Sequence, residues 1–288
     1  MWESELVMIV NVPLSESVTI PQLGFGTYLV DPEQASDVIA SALRLGYRHI
    51  DTAQMYRNEA GIGQALANAI GAGISRRDLF ITTKLNTPNH LPDDVRRTFT
   101  QSLQDLQTSY VDLFLIHWPM PMYYNGDFVT TFRVMEEFLA DGRARTIGVS
   151  NFETHHLDKL LAGAQTVPAV NQIELHPYFQ NRELASYCQE HGIAVESWSP
   201  LGRGRVLQDA TITDIGRRLE ITPAQVVLAW HLAKGYIAIP KSTHEERQRE
   251  NFLAAECVLS EEDIARIDEL DKGEDGRTGQ HPDVFSRL

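Results

Sequence analysis

The chain has 288 residues, 43% of them apolar and 22% charged, which allows a sizeable globular core and leaves no low-complexity tract. With 39 acidic against 25 basic side chains, the formal charge of -14 sets the exterior against nucleic acid and anionic membranes, so an anionic ligand needs a local basic pocket. Two cysteines, Cys188 and Cys257, in no metal or redox spacing, exclude a disulfide framework and fit a reducing compartment.

In chain order, residues 1–9 read as a disordered tail and residues 10–288 as a single catalytic domain. Glu3 and Glu5 stand where a signal peptide would be basic, Met8 is an alternative start, and no apolar run approaches the ~18 residues of a membrane span. A cytoplasmic protein is expected. "VPLSESVTI" reads as a β-hairpin capping a barrel floor, although Ser15-Glu16-Ser17 is weak turn chemistry. Eight apolar, β-branched runs follow: "LGFGTY", "YRHID", "LFITTKL", "VDLFLIHW", "TIGVSN", "AVNQIEL", "IAVESWS" and "YIAIPKS". Between them lie amphipathic patterns over 31–45, 59–71, 93–106, 130–140, 155–162, 182–190 and 222–234, with a further one over 245–256. Strict alternation of continuously apolar strands with helices predicts an α/β fold, the closed parallel (β/α)8 TIM barrel, with an open doubly wound sheet as the alternative. Beyond Glu269 the chain reads as irregular.

Chemistry in a barrel sits at the C-terminal rim. There Asp51 closes the second strand, Lys84 the third, His117 the fourth, Ser150 and Asn151 the fifth, Gln172 and Glu174 the sixth, Trp198 and Ser199 the seventh, and Lys241 with Ser242 the eighth. Each alone has a bland reading: a helix cap for Asp51, a solvated charge for Lys84, a core imidazole for His117, packing for Trp198. Together they place titratable groups on adjacent strand ends, within reach of one another. Tyr56 stands on the loop above Asp51. A phenol titrates near ~10, and an ammonium at ~4 Å in an effective dielectric of ~20 favours the tyrosinate by about 4 kcal/mol, on the order of three pKa units before desolvation. Lys84 supplies that charge, Asp51 aims it, Tyr56 becomes a general acid, and His117 is placed to hydrogen-bond the carbonyl receiving the proton.

"GYRHIDTAQMYRNEAGIG", the Lys of "ITTKL", the His of "LIHWP", "GVSNF", "NQIELHPY" and "IPKSTHEERQREN" together resemble the aldo-keto reductases, over about Leu23 to Asp283. The resemblance implies a catalytic tetrad of Asp51, Tyr56, Lys84 and His117. It implies that Ser150, Asn151 and Gln172 hold a nicotinamide carboxamide and that Trp198 stacks on its ring. Ser199, Leu201 and Gly202 would lie along the coenzyme, and Lys241, Ser242, Thr243, Arg247, Glu250 and Asn251 at its adenosine end, where the cations imply NADPH over NADH. Trp198, "SPLGRG" and the ending "GRTGQHPDVF" look most like the short-tailed microbial branch that includes 2,5-diketogluconate reductases. From the residues themselves, Lys241 and Arg247 are the local cations that a 2′-phosphate needs. "EAGIGQAL", with Gly61 and Gly63 but no third glycine, is better explained by helix packing than by a Rossmann fingerprint.

Asn86 stands where the family often has a tryptophan and Arg57 where it commonly has a glycine, which makes the mouth more polar. Tyr28, Met55, Asn86, Trp118, Met122 and Tyr123 are expected to wall the substrate pocket. The short 119–128 segment and short tail predict an open site for small carbonyl compounds, in a monomer without metal. Two rival readings are a barrel metallohydrolase using His49, Asp51, Lys84, His117 and His176, and an NADPH-binding redox sensor or scaffold with little turnover.

Overall fold

The computed structural model describes residues 7–287. A hairpin comes first, β1 (Asn11–Pro13) pairing antiparallel with β2 (Thr19–Pro21). The eight expected strands follow as β3 (Phe25–Gly26), β4 (His49–Asp51), β5 (Phe80–Leu85), β6 (Val111–Ile116), β7 (Ala144–Ser150), β8 (Val170–Glu174), β9 (Ala194–Trp198) and β10 (Ile237–Ala238). Each pairs in parallel with its neighbour in sequence order. The ring closes where Leu23 pairs with Ala238: Gly24 N–H donates to the Ala238 carbonyl (2.9 Å) and Ala238 N–H to that of Gln22 (2.9 Å). The sheet is therefore a barrel, and its helices shield the outer face.

Both strand faces are covered, which is why the runs read as continuously apolar. In β6, Leu113 and Leu115 point inward to pack with Phe80, Val170 and Ile237, while Phe114 and Ile116 point outward into the helix layer. There Phe114 meets Phe99 with ring centroids 4.3 Å apart. The hairpin plugs the floor as expected: Val18 and Ile20 join the inner cluster. The weak tip is tied by Ser15, whose Oγ accepts from Val18 N–H at 3.1 Å.

Helices α1 (Ala35–Leu45), α2 (Glu59–Gly71), α3 (Pro92–Asp105), α4 (Phe128–Ala140), α5 (Thr154–Gly163) and α6 (Arg182–Glu190) follow β3 to β8 in turn. Two helices, α7 (Ala210–Leu219) and α8 (Pro223–Ala233), follow β9, and α9 (Glu245–Phe252) and α10 (Glu261–Asp268) complete the chain's helices. Pro92 and Pro223 sit in first turns, but α1 starts later than the reading from Asp31, because Asp31 Oδ1 instead closes a turn by accepting from Glu33 N–H at 2.9 Å. The pattern over 245–256 divides: after Phe252 the chain tightens into a 3-10 turn. α7 and α10 lie outside the amphipathic patterns of the sequence. α10 nonetheless carries a visible start signal, Ser260 capping Asp263 N–H while Asp263 returns the bond. Close helix packing accounts for Gly61 and Gly63: a Cβ on Gly61 would lie 2.9 Å from that of Ala35, and one on Gly63 would collide with the Asp105–Leu106 backbone. Residues 1–6 lie outside the described residues, but Val7 and Ile9 are half-buried against the core, so that part of the 1–9 segment belongs to the fold.

Candidate active site

The parallel register brings the strand ends to one rim: Asp51 lies beside Thr82, Lys84 beside Leu115, Ser150 beside Gln172, and Glu174 beside Trp198. At its centre Lys84, wholly buried, donates from Nζ to Asp51 Oδ1 (2.6 Å), Asp51 Oδ2 (2.8 Å) and the Thr52 carbonyl (2.9 Å). All three ammonium donors are thereby engaged. Nζ also lies 5.1 Å from the Tyr56 ring centroid, and His117 meets that ring edge-on at 5.6 Å. The four tetrad residues are thus brought together. The loop between Asp51 and Tyr56 is braced by Asn58, whose Oδ1 accepts from Thr52 Oγ1 (2.9 Å) and whose Nδ2 donates to the Thr27 carbonyl (3.0 Å).

The electrostatics correct one expectation. Burial pushes the Tyr56 phenol up to about 12, and the charge of Lys84 opposes this without reversing it. The lysine's field is shared with Asp51, so the phenol keeps its proton at neutral pH. Burial and the positive Lys84 hold the His117 imidazole well below its usual range, so it is neutral.

Around this centre some of the expected coenzyme residues have definite partners and others are open. Ser150 Oγ donates to the Gln172 carbonyl (2.8 Å). Asn151, with a left-handed φ of 63°, donates to the His117 carbonyl (2.9 Å), and its Oδ1 accepts from the Trp198 indole (2.8 Å). Gln172 donates through Nε2 to Asp51 Oδ2 (2.8 Å) and to Glu196 Oε2 (2.9 Å), leaving its carbonyl oxygen as the end that can accept. Ser199 and Leu201 are half-buried, and Gly202 has a φ of 54° and abuts His176. Ser242 is buried and accepts from His244 N–H at 3.1 Å, Asn251 is buried and Glu250 half-buried, and Thr243 is exposed. Lys241 and Arg247 are exposed and have no carboxylate within ion-pair distance among the described residues.

The pocket wall differs from the open mouth expected. Tyr28, 47% exposed, leans on Tyr56 at 5.2 Å, and Met55 is half-buried. Trp118 is covered by Phe285 of the C-terminal tail, ring on ring at 3.9 Å. The Arg287 carbonyl accepts from Thr87 Oγ1 (2.7 Å) and that of Ser286 from the Tyr123 hydroxyl (3.3 Å). The short tail therefore closes one side. Asn86 uses its side chain to cap the adjacent turn, accepting from Thr87 N–H (2.9 Å), and Met122 projects outward at 67% exposure.

Two acidic residues have roles the sequence did not reveal. Glu174 tethers the tail: it accepts from Thr278 N–H (2.6 Å), Thr278 Oγ1 (2.6 Å) and Gly279 N–H (2.8 Å). A Cβ at Gly279 would lie 2.5 Å from the Trp198 ring, so the glycine allows the tail to pass against it. Glu196, fully buried inside the barrel, orients Gln172 and stands 3.5 Å from His49 Nε2; burial pushes it up to about 8, with Asp51 adding to the rise. The metallohydrolase reading fails on geometry. His49 is held by Pro21 and Thr82, and His176 bonds Glu174 at 3.1 Å. Among the described residues, the group of three ligand atoms that converge is His155, His156 and Asp283, away from that set. Within it His156 Nδ1 accepts from Glu153 N–H (3.1 Å), while its buried Nε2 lies 3.2 Å from Asp283 without a hydrogen bond.

An eight-stranded parallel barrel with a lysine, carboxylate, phenol and imidazole at its C-terminal rim defines a class of oxidoreductase. The model of the Aldo/keto reductase family matches residues 22–272, and the chain belongs to that family. It is 44% identical over 276 residues to an aldo-keto reductase of Mycolicibacterium smegmatis, covering 96% of this chain and 98% of the relative. It is 40% identical over 274 residues to the glyoxal reductase of Bacillus subtilis, covering 95% and 96%. A crystal structure of a Gox0644 variant in complex with NADPH superimposes with a TM-score of 0.91 at 39% identity, over 97% of this chain and 100% of that one. No helix among the described residues is long and apolar enough to cross a membrane.

Proposed function

We propose that this chain is an NADPH-dependent reductase of small aldehydes, ketones or keto-sugars, working as a cytoplasmic monomer with Tyr56 as its general acid. The observation that carries the reading is the buried Lys84, bonded to both oxygens of Asp51 and set against the Tyr56 ring.

When bound, NADPH supplies a hydride. The residues fit such a coenzyme: Lys241 and Arg247 have no carboxylate partner among the described residues and suit a 2′-phosphate, and the side-chain Oε1 of Gln172 remains open to accept from a carboxamide. Tyr56 holds its proton at neutral pH and releases it to a carbonyl oxygen as negative charge develops there, helped by the Lys84 ammonium behind it. Neutral His117 beside the phenol orients that oxygen without competing as an acid. Asp51 keeps Lys84 charged and aimed. Phe285, Trp118 and Tyr28 exclude water on the pocket side.

The test follows loss of reduced-coenzyme absorbance with a panel of small carbonyl compounds, in steady state and in single turnover. Turnover with NADPH, abolished in Tyr56→Phe, is expected; equal loss of turnover and coenzyme affinity in that variant would overturn the acid role. Single-turnover oxidation orders of magnitude below that of ordinary reductases would favour the sensor reading.

A further inference from the structure

Cations also gather away from the catalytic rim. At the opposite end, a cavity of about 850 Å³ lies between the β1/β2 hairpin, the last turns of α1 and α9, and the starts of β5 and β7. Arg44, Arg48, Arg77, Arg145 and Arg249 line it, with Asp78 as the carboxylate among its described lining residues. Five of the chain's 25 basic side chains thus face one space in a protein of net charge -14.

The local partners show which of these charges are available. Arg145 is paired with buried Asp112 (2.8 Å), Arg44 reaches Glu245 loosely (3.5 Å), and Arg48 is braced by the carbonyls of Leu43 (3.1 Å) and Tyr47 (2.8 Å). Arg77 and Arg249 are exposed, and their guanidinium groups have no hydrogen-bond or ion-pair partner among the described residues. Arg44 and Arg249 sit in the last turns of helices, where a cation complements the helix dipole. That accounts for two of the five and not for their convergence with Arg77, Arg48 and Arg145 on a single concavity. Like charges facing one cleft raise its potential, and guanidinium forks suit phosphate oxygens.

We infer that this floor cleft is a second anion site, separate from the rim, for a small molecule carrying a diphosphate or similarly dense group. Its volume lies in the range of small-molecule pockets. The strongly acidic exterior disfavours a flat anionic surface as the ligand, because these arginines line a recess in a chain of net charge -14.

The probe is inorganic pyrophosphate, titrated by calorimetry into the full chain at constant ionic strength with NADP+ present. One equivalent is expected to bind. Arg77→Gln/Arg249→Gln should weaken it by about tenfold or more, while Arg247→Ala at the rim leaves it unchanged. Carbonyl reduction and the thermal midpoint serve as the folding control for the double variant. If the Gln pair does not fold, Arg77→Lys/Arg249→Lys is used, and should bind with intermediate affinity because a point charge replaces a fork. ADP binding alongside pyrophosphate would identify a nucleotide as an acceptable carrier of the group; ADP excluded while pyrophosphate binds would restrict the site to the free anion. No heat of binding, binding indifferent to the Arg77 and Arg249 substitutions, loss of binding with Arg247→Ala, or stronger association with phosphatidylglycerol vesicles than with pyrophosphate would each overturn the inference.

Discussion

Lys84 and Lys241 stand at the same end of the barrel and differ in what surrounds them. Lys84 is wholly buried with three acceptors, two of them the oxygens of Asp51. Lys241 is exposed and, like Arg247 beyond it, has no carboxylate partner among the described residues. The first corner is internally complete, and in the proposed function its charge acts by shaping Tyr56; the second, in that same proposal, is completed by an anion from outside. Removing a side chain should accordingly damage chemistry and stability at the first corner, and coenzyme affinity alone at the second.

The largest effect is expected from Tyr56→Phe, which deletes the proposed proton donor and keeps the ring that packs on Tyr28 and His117. Turnover should fall on the order of 10³-fold while NADPH affinity stays within about twofold, measured by single-turnover kinetics and fluorescence titration. Lys84→Met is next: it leaves Asp51 buried and unpaired, so a loss of about 3–5 kcal/mol in denaturant unfolding should accompany the loss of rate. Adding Asp51→Leu should restore part of that stability and none of the rate; recovery of rate would show that the pair serves folding alone. At the second corner, Arg247→Ala should raise the NADPH dissociation constant roughly 10- to 100-fold, leave NADH binding unchanged, and leave the unfolding midpoint where it was. A uniform loss for both coenzymes would dissolve the contrast between the corners.

The smallest effect belongs to Glu196. Its carboxyl is raised from 4.5 to about 8 by burial, so between those values the folded protein holds a proton that the unfolded chain has released. Stability contributed by that proton is therefore full at low pH and lost as pH climbs toward 8. Glu196→Gln, a neutral isostere that can still accept from Gln172, should flatten this fall by a few degrees in the thermal midpoint between about pH 5 and 8, with turnover at pH 7 nearly unchanged. A variant whose midpoint keeps the original slope would mean that Glu196 is ionised in the fold.

Sequence periodicity made most of the architecture legible, because a strand covered on both faces and a helix covered on one each carry a local pattern. All eight barrel strands and helices such as Glu59–Gly71 and Arg182–Glu190 lie where the pattern put them. α7 escaped notice: its Thr and Ile residues are weak helix formers, and the segment follows the glycine-bearing turn of Gly202 and Gly204. The tetrad was legible since a lysine, an aspartate and a histidine at consecutive strand ends must meet once the strands are parallel.

From the residue order alone come the alternating barrel, its plugged floor and the identity of the groups at its rim, since each depends on patterns within a few residues. Only the closed fold decided how those groups act together. It set Gln172 between Asp51, 121 residues away, and Glu196, laid Phe285 over Trp118, and drew five arginines to one cleft. It also turned the Tyr56 phenol upward rather than down, because desolvation depends on everything packed around a group and no local pattern contains that sum.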